Sequence, residues 1–163
     1  MRVLVLYYSL DGNTRLMAQT IAKTCGADLQ ELRTEEEPKK GFAKYFWGGR
    51  QVFMKERPRL LPLEKKAVDY DLLFIGTPVW AFSPVPAVSG FLENAALSGK
   101  KIALFCCSGG GMGRTFQKME ALLGGNAIIS TMHFVEPRRS EQASVKKAGE
   151  WAAKVLSQHN RNL

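Results

Sequence analysis

The hydrophobic positions of this chain fall into five short runs that alternate with segments of helical periodicity. Apolar runs of this length are typical of strands buried on both faces, and apolar spacing of three or four residues is typical of amphipathic helices. Strands are predicted over residues 2–8, 28–33, 71–76, 101–107 and 127–135. Helices are predicted over residues 13–25, 84–94, 112–123 and 141–158. This alternation predicts an α/β fold in which helices cover both faces of a parallel sheet.

Residues that favour caps and turns set the predicted helix boundaries. Gly26 is placed to end the first helix. Ser83 is the predicted N-cap of the second helix, with Pro84 at its first position. The run 28–33 alternates apolar and polar residues, which predicts a strand at the edge of the sheet.

One connection is much longer than the others. About 30 residues, at about 34–63, separate the second strand from the third, and a structureless loop of that length is uncommon in a compact domain. Aromatic residues at helical spacing predict an amphipathic helix over 41–54, weakened by Gly48 and Gly49. We therefore expect a single domain over residues 1–163 that carries this basic, aromatic insertion.

Composition restricts the class of protein. The chain has 163 residues, of which 45% are hydrophobic and 23% are charged, values that suit one folded domain and not a disordered chain. No apolar run approaches the roughly 20 residues that cross a bilayer, and the apolar start of the chain is too short for a signal peptide. The cysteines Cys25, Cys106 and Cys107 do not form a disulfide framework. We expect a cytoplasmic protein without a membrane span.

The segment after the first predicted strand is rich in hydrogen-bond donors. Ser9, Asn13 and Thr14 supply hydroxyl and amide groups, and Gly12 lets the backbone turn its N–H groups inward. The helix that follows adds its own free amides and its dipole. This composition predicts a cradle for a phosphate dianion, and because it carries no lysine it is not a nucleotide P-loop. A simpler interpretation stays open, in which Ser9, Asp11 and Asn13 only form a turn that caps the helix.

The residues around this loop also carry a family signature. The run V-L-Y-Y-S-x-x-G-x-T-x-x-x-A-x-x-I over residues 5–21 resembles the FMN-phosphate signature of the flavodoxin family. The resemblance implies a flavodoxin-like three-layer sandwich with five parallel strands in the order 2-1-3-4-5. It also implies that two hydroxyls and a series of backbone amides hold the 5′-phosphate of FMN. The implied residues are Ser9, Leu10, Asp11, Gly12, Asn13 and Thr14. Because a carboxylate repels a phosphate, we expect the Asp11 side chain to turn outward and cap the loop.

The loop after the third predicted strand is expected to contact the flavin ring. Pro78, Val79 and Trp80 resemble a turn that lines the flavin in a flavodoxin-like subgroup. A tryptophan beside a phosphate cradle is suited to stack on a flat ring, and Phe82 is a further candidate. In the alternative interpretation, both aromatic side chains pack under the following helix.

The loop after the fourth predicted strand has four glycines in the five residues 109–113. Glycines let the backbone approach a ligand closely and present its N–H groups. The resemblance implies that Ser108, Gly109 and Gly110 contact the pyrimidine edge of the flavin. The tyrosine that flavodoxins usually place here has no counterpart, which leaves one face of the ring less shielded or open to a second substrate.

These features favour an FMN-binding protein that shuttles electrons between redox partners. Two alternatives stay open: an FMN-dependent NAD(P)H oxidoreductase that reduces a quinone or another small acceptor, and a flavin-free interaction domain. Cys106 and Cys107 follow an apolar run and are expected to be inert. His133 and His159 have no metal-ligand partner at usable spacing, so we expect neither a metal site nor a catalytic triad.

Nearly all of the net charge lies in and beside the insertion. Residues 39–66 hold nine basic and two acidic side chains, a balance of +7, while the whole chain carries +8. The aromatic residues there could bury against the sheet edge and leave the lysines in solvent. Alternatively, the segment docks an acidic redox partner, a partner subunit or the phosphates of NAD(P)H. Basic and aromatic composition alone is weak support for nucleic-acid binding, which we do not expect.

Overall fold

A mostly parallel sheet lies at the centre of the fold, in a computed structural model that describes residues 1–36, Arg50 and residues 57–161. Its strands are β1 (Val3–Tyr7), β2 (Asp28–Glu31), β3 (Leu72–Trp80), β4 (Ser83–Pro84), β5 (Lys101–Ser108) and β6 (Ala127–Val135). The order β2-β1-β3-β5-β6 is parallel throughout, and the short β4 pairs antiparallel with the end of β3. Apart from β4, this is the predicted order 2-1-3-4-5, with β2 at the predicted edge.

Helices cover both faces of this sheet. They are α1 (Asn13–Cys25), α2 (Pro86–Asn94), α3 (Thr115–Leu122) and α4 (Glu141–Arg161), with a 3₁₀ turn at Ala67–Asp69. Successive side chains of a strand point to opposite faces, so Leu4 and Leu6 join the apolar core under α2 and α3. Val3 and Val5 join the core under α1 and α4. The result is the predicted three-layer sandwich. In the part of the chain that the structure describes, no helix is both long and apolar enough to cross a bilayer.

The third strand is longer than predicted. β3 continues past Gly76 to Trp80, because its pairing with β5 extends as far as Pro78 and Cys107. Residues that were expected to form an open loop therefore form one arm of a hairpin, whose other arm is β4.

The second helix begins two residues later than predicted. Ser83 and Pro84 pair with β3, so Ser83 is not the N-cap of α2. Val85 is the N-cap, and its N–H donates to the buried hydroxyl of Thr77 at 3.1 Å. Pro86 and not Pro84 lies in the first helical turn, where the missing N–H of proline would have no helical partner.

The other boundaries differ by a few residues at most. α1 and β6 have the predicted bounds, and Gly26 ends α1 in the left-handed conformation with a φ of 58°. α3 begins at Thr115 and not at 112, because the glycine-rich residues before it stay in a loop. β2 ends at Glu31, and α4 extends to Arg161.

The two ends of the predicted insertion lie side by side. Thr34 forms an isolated antiparallel bridge with Leu60, and the N–H of Leu61 donates to the carbonyl of Arg33 at 2.8 Å. Backbone hydrogen bonds therefore join residues 33–35 to residues 59–61 close to the end of β2. The helix predicted over 41–54 lies, apart from its residue 50, outside the described residues.

Candidate functional site

The loop between β1 and α1 is held in shape by its own side chains. The Ser9 hydroxyl accepts hydrogen bonds from the backbone N–H groups of Gly12 and Arg15, both at 3.2 Å. The Asp11 carboxylate is exposed and accepts from the N–H of Asn13 at 3.3 Å, the outward, capping position that the sequence predicts. Gly12 is the N-cap of α1 and has a φ of 91°, which favours glycine.

Several donors of this loop have no partner among the described residues. The backbone N–H groups of Leu10, Asp11 and Thr14 make no hydrogen bond there. The Thr14 hydroxyl is fully buried and is also unpaired. Burial raises the pKa of the neighbouring Cys107 thiol to about 12, against a smaller lowering by the Thr14 hydroxyl. A neutral thiol is a weak acceptor, so it does not count as a partner. Buried polar groups normally find partners, so the Thr14 hydroxyl is the exceptional member of this set, and the four donors together suit an anion such as phosphate.

An arginine from far along the chain lies on the same loop. The Arg138 guanidinium donates to the backbone carbonyl of Asp11 at 2.6 Å, and the Arg138 backbone N–H donates to Asn13 Oδ1 at 3.1 Å. A Cβ on Gly12 would lie only 3.4 Å from Nη1 of this arginine. Arg138 is not among the site residues that the sequence predicts. The available signal was its place in the turn that directly follows the predicted strand 127–135, at the carboxyl edge of the sheet.

The β3–β4 hairpin brings two aromatic side chains to this edge. Trp80 is half-buried and contacts Tyr8 edge-to-face, with ring centroids 5.8 Å apart and an interplanar angle of 89°. Ala81 and Phe82 have φ values of 47° and 57°, in the left-handed region that residues other than glycine rarely adopt. The Phe82 side chain is 67% exposed. Trp80 thus packs on the core and keeps part of its surface free, whereas Phe82 extends into solvent.

The glycine-rich loop after β5 packs against the tip of this hairpin. The N–H of Arg114 donates to the carbonyl of Phe82 at 3.2 Å. Gly113 has a φ of 55°, and a Cβ at this position would lie 2.3 Å from the Cβ of Phe82. A side chain at residue 113 would therefore push the hairpin away, and glycine permits the close contact.

The start of the same loop is tied to β6. The Ser108 hydroxyl donates to the carbonyl of Gly110 at 2.8 Å and lies 2.7 Å from Nε2 of His133. Burial, and secondly the charge of Lys147, lowers the pKa of His133, which favours the neutral ring.

The contacts described above join four segments of the chain into a closed circuit, which we call the four-segment ring. The first loop contacts the hairpin through the Tyr8–Trp80 pair, and the hairpin contacts the glycine-rich loop through the backbone bond described above. The carbonyl of Ser108 accepts from the N–H of Glu136 at 2.9 Å, and Arg138 returns to the first loop. The ring consists of residues 8–14, 78–84, 108–114 and 136–138.

The residues predicted from sequence all lie in three segments of this ring. They are Ser9, Leu10, Asp11, Gly12, Asn13, Thr14, Pro78, Val79, Trp80, Ser108, Gly109 and Gly110. Four of their side chains have hydrogen-bond partners. The Ser9 hydroxyl and the Asp11 carboxylate bind loop amides, the Asn13 side-chain oxygen binds Arg138, and the Ser108 hydroxyl binds Gly110 and His133. Burial raises the pKa of both Cys106 and Cys107 to about 12, so both remain neutral thiols. Within the described ranges, no three His, Cys, Asp or Glu residues could together hold a metal ion.

The fold defines a doubly wound α/β protein, and a loop rich in unpaired donors lies where the strand order reverses. The sequence model of one family, described as Flavodoxin, matches residues 2–146. The chain therefore belongs to the flavodoxin family.

Solved structures share this fold. A flavoprotein from Lactobacillus acidophilus, solved in complex with FMN, is 22% identical over 86% of this chain and 97% of its own, with a TM-score of 0.70. A protein from Bacteroides uniformis described as a flavoprotein is 18% identical over 92% of this chain and 96% of its own, with a TM-score of 0.80. A flavone reductase is 13% identical over 96% of this chain and 62% of its own, with a TM-score of 0.62. No curated protein matches the sequence.

Proposed function

We propose that this protein binds FMN at the four-segment ring and carries electrons between redox partners. When bound, FMN supplies a ring system that accepts and donates electrons. The loop between β1 and α1 would hold the phosphate. Trp80 has free surface to offer a face of the flavin, and the backbone of residues 108–110 would offer donors to its edge.

The unpaired donors of the first loop carry this proposal. Water can satisfy the amides of a loop that only caps α1, but it does not reach the fully buried Thr14 hydroxyl, which such a loop would leave without a partner. Ser9 and Asp11 do cap it, and after they have done so three backbone amides and the buried Thr14 hydroxyl are left over. A phosphate monoester offers enough acceptor oxygens for all four. Membership of the flavodoxin family supports the same ligand.

The visible absorption spectrum of the purified protein tests the proposal. We expect a yellow protein, or a colourless one whose tryptophan fluorescence is quenched on titration with FMN. A colourless protein whose fluorescence does not respond to FMN would instead support a flavin-free interaction domain. Reduction with dithionite, followed by reoxidation in air, then shows whether the bound flavin cycles.

The exposed aromatic side chain of Phe82 favours a second candidate, an FMN-dependent NAD(P)H oxidoreductase. At 67% exposure, this ring stands beside the glycine-rich loop with free surface to pack on a second planar molecule. Stopped-flow mixing separates the two functions. Rapid bleaching of the flavin by NAD(P)H alone would favour the oxidoreductase, whereas bleaching that needs a protein reductase would favour the carrier.

We further propose a cytoplasmic location and an acidic redox partner that docks on residues 39–66. In the described part of this segment, Arg59 and Lys66 are exposed, and the Arg59 side chain is 85% accessible. Exposed pairs such as Arg59 with Glu35, at 3.8 Å, contribute little to stability and leave the cation free to meet a partner. Electron-transfer rates with an acidic partner should fall steeply as salt is added.

A further inference from the structure

We propose that Arg138 supplies the positive charge that the β1–α1 loop lacks, and that it makes the site selective for a phosphate monoester. This inference rests on the proposed FMN binding and adds to it a residue that lies outside the signature. Residues 8–14 contain no lysine or arginine, although a phosphate monoester carries close to two negative charges at neutral pH. The carboxylate of Asp11 makes the deficit larger.

The other arginines near this loop are already paired. Arg15, which follows the loop, binds Glu31 at 2.6 Å. Arg139, next in sequence to Arg138, binds Glu136 at 2.8 Å. Arg138 has no carboxylate within ion-pair distance among the described residues. Its charge is therefore available to an anion. The guanidinium also has more N–H donors than its bond to one carbonyl oxygen uses.

Arg138 is also held in place before any ligand binds. Its backbone is fixed by Asn13 Oδ1 at 3.1 Å and its guanidinium by the carbonyl of Asp11 at 2.6 Å. Both partners belong to the loop that carries the unpaired amides. The guanidinium packs over Gly12, where a Cβ would be in van der Waals contact with it at 3.4 Å from Nη1. A fixed guanidinium beside free amides is the arrangement that proteins use to bind phosphate groups.

Paired titrations with FMN and riboflavin test this role, because the two ligands differ only in the phosphate. We expect Arg138→Gln to weaken FMN about ten- to a hundredfold, the range for hydrogen bonds to a charged group, and to change riboflavin by less than about twofold. Arg138→Lys keeps the charge and should recover part of the loss. Arg139→Gln makes the same change in net charge one residue away and should bind FMN as the wild type does.

Salt dependence gives a second measurement that does not rest on one variant. The wild type should lose FMN affinity with added salt more steeply than riboflavin affinity, and Arg138→Gln should flatten the FMN curve. The inference is overturned if Arg138→Gln binds FMN like the wild type, if it weakens both flavins equally, or if Arg139→Gln has the same effect. A wild type that binds neither flavin would overturn the proposed function, and with it this role.

Discussion

Replacing Thr14 with valine should change the stability of the apoprotein and its FMN affinity in opposite directions. The Thr14 hydroxyl is fully buried and makes no hydrogen bond in the described structure, and valine has nearly the same shape. A buried hydroxyl without a partner costs about 1–3 kcal/mol relative to an apolar group. We therefore expect Thr14→Val to stabilise the apoprotein by about 1–2 kcal/mol, which raises the Tm of a chain of this size by about 2–4 °C per kcal/mol.

Under the proposed function, the same substitution removes a donor to the FMN phosphate. Hydrogen bonds to charged groups contribute about 1.5–3 kcal/mol, so the Kd for FMN should rise at least about tenfold. The Kd for riboflavin, which has no phosphate, should stay within about twofold. Thermal denaturation of flavin-free protein and fluorescence titration with each ligand give the two quantities separately.

Thr115 is the matched control. It is equally buried, but its hydroxyl donates to the carbonyl of Met112 at 2.7 Å. Thr115→Val should therefore destabilise the apoprotein by about 1 kcal/mol, and Thr14→Ser should retain most of the FMN affinity. A Thr14→Val apoprotein that is less stable than the wild type, or that binds FMN unchanged, would refute the role given to this hydroxyl.

Three further predictions concern stacking, packing and pH. Trp80→Ala should weaken FMN and riboflavin alike, by about three- to tenfold, because a ring contact does not involve the phosphate. Gly76→Ala should lower the free energy of unfolding by about 1–3 kcal/mol or more, because the new Cβ would lie 2.1 Å from the buried ring of Phe105. Burial, together with Lys101, lowers the pKa of the buried His159. As pH falls, this histidine therefore takes up a proton at a higher pH in the unfolded chain than in the folded protein. Stability should then decrease below about pH 6.5 and level off below the pKa of the folded state.

Each of these has a control. Trp80→Phe should keep most of the affinity for both flavins, and a loss confined to FMN would contradict a stacking role. A methyl group on Gly124 would point into open space, with no atom beyond its chain neighbours within 4 Å, so Gly124→Ala should have little effect on urea unfolding. His159→Gln should flatten the decline in stability at acid pH. An unchanged pH profile in that variant would mean that another group is responsible.

Much of the fold could be predicted because local residues determine it. The bounds of α1 follow from apolar spacing and from Gly26, and those of β6 follow from an apolar run between turn residues. The donor-rich loop after β1 could be identified because its donors and Gly12 lie within a few consecutive residues. Its open donors could not be counted from sequence, since that count depends on Ser9 and Asp11 already capping the loop.

The features that sequence reasoning missed depend on residues far apart in the chain. β3 extends to Trp80 because β5 offers it a partner as far as Cys107, and β4 forms only because that extension exists. Ser83 and Pro84 carry the local signals of a helix start, but in the structure they pair with β3 and the helix begins after them. Arg138 contacts Asp11, which lies 127 positions earlier in the chain. No local sequence pattern distinguishes Arg138 from the neighbouring Arg139.

The four-segment ring has a consequence for how the protein matures. The ribosome makes its segments one after another, and Arg138 is the last residue of the fourth segment to be added. A nascent chain that lacks this last segment also lacks the contact between Arg138 and the loop between β1 and α1. If FMN binds as proposed, its insertion should therefore be a late event that follows synthesis of the β6–α4 turn.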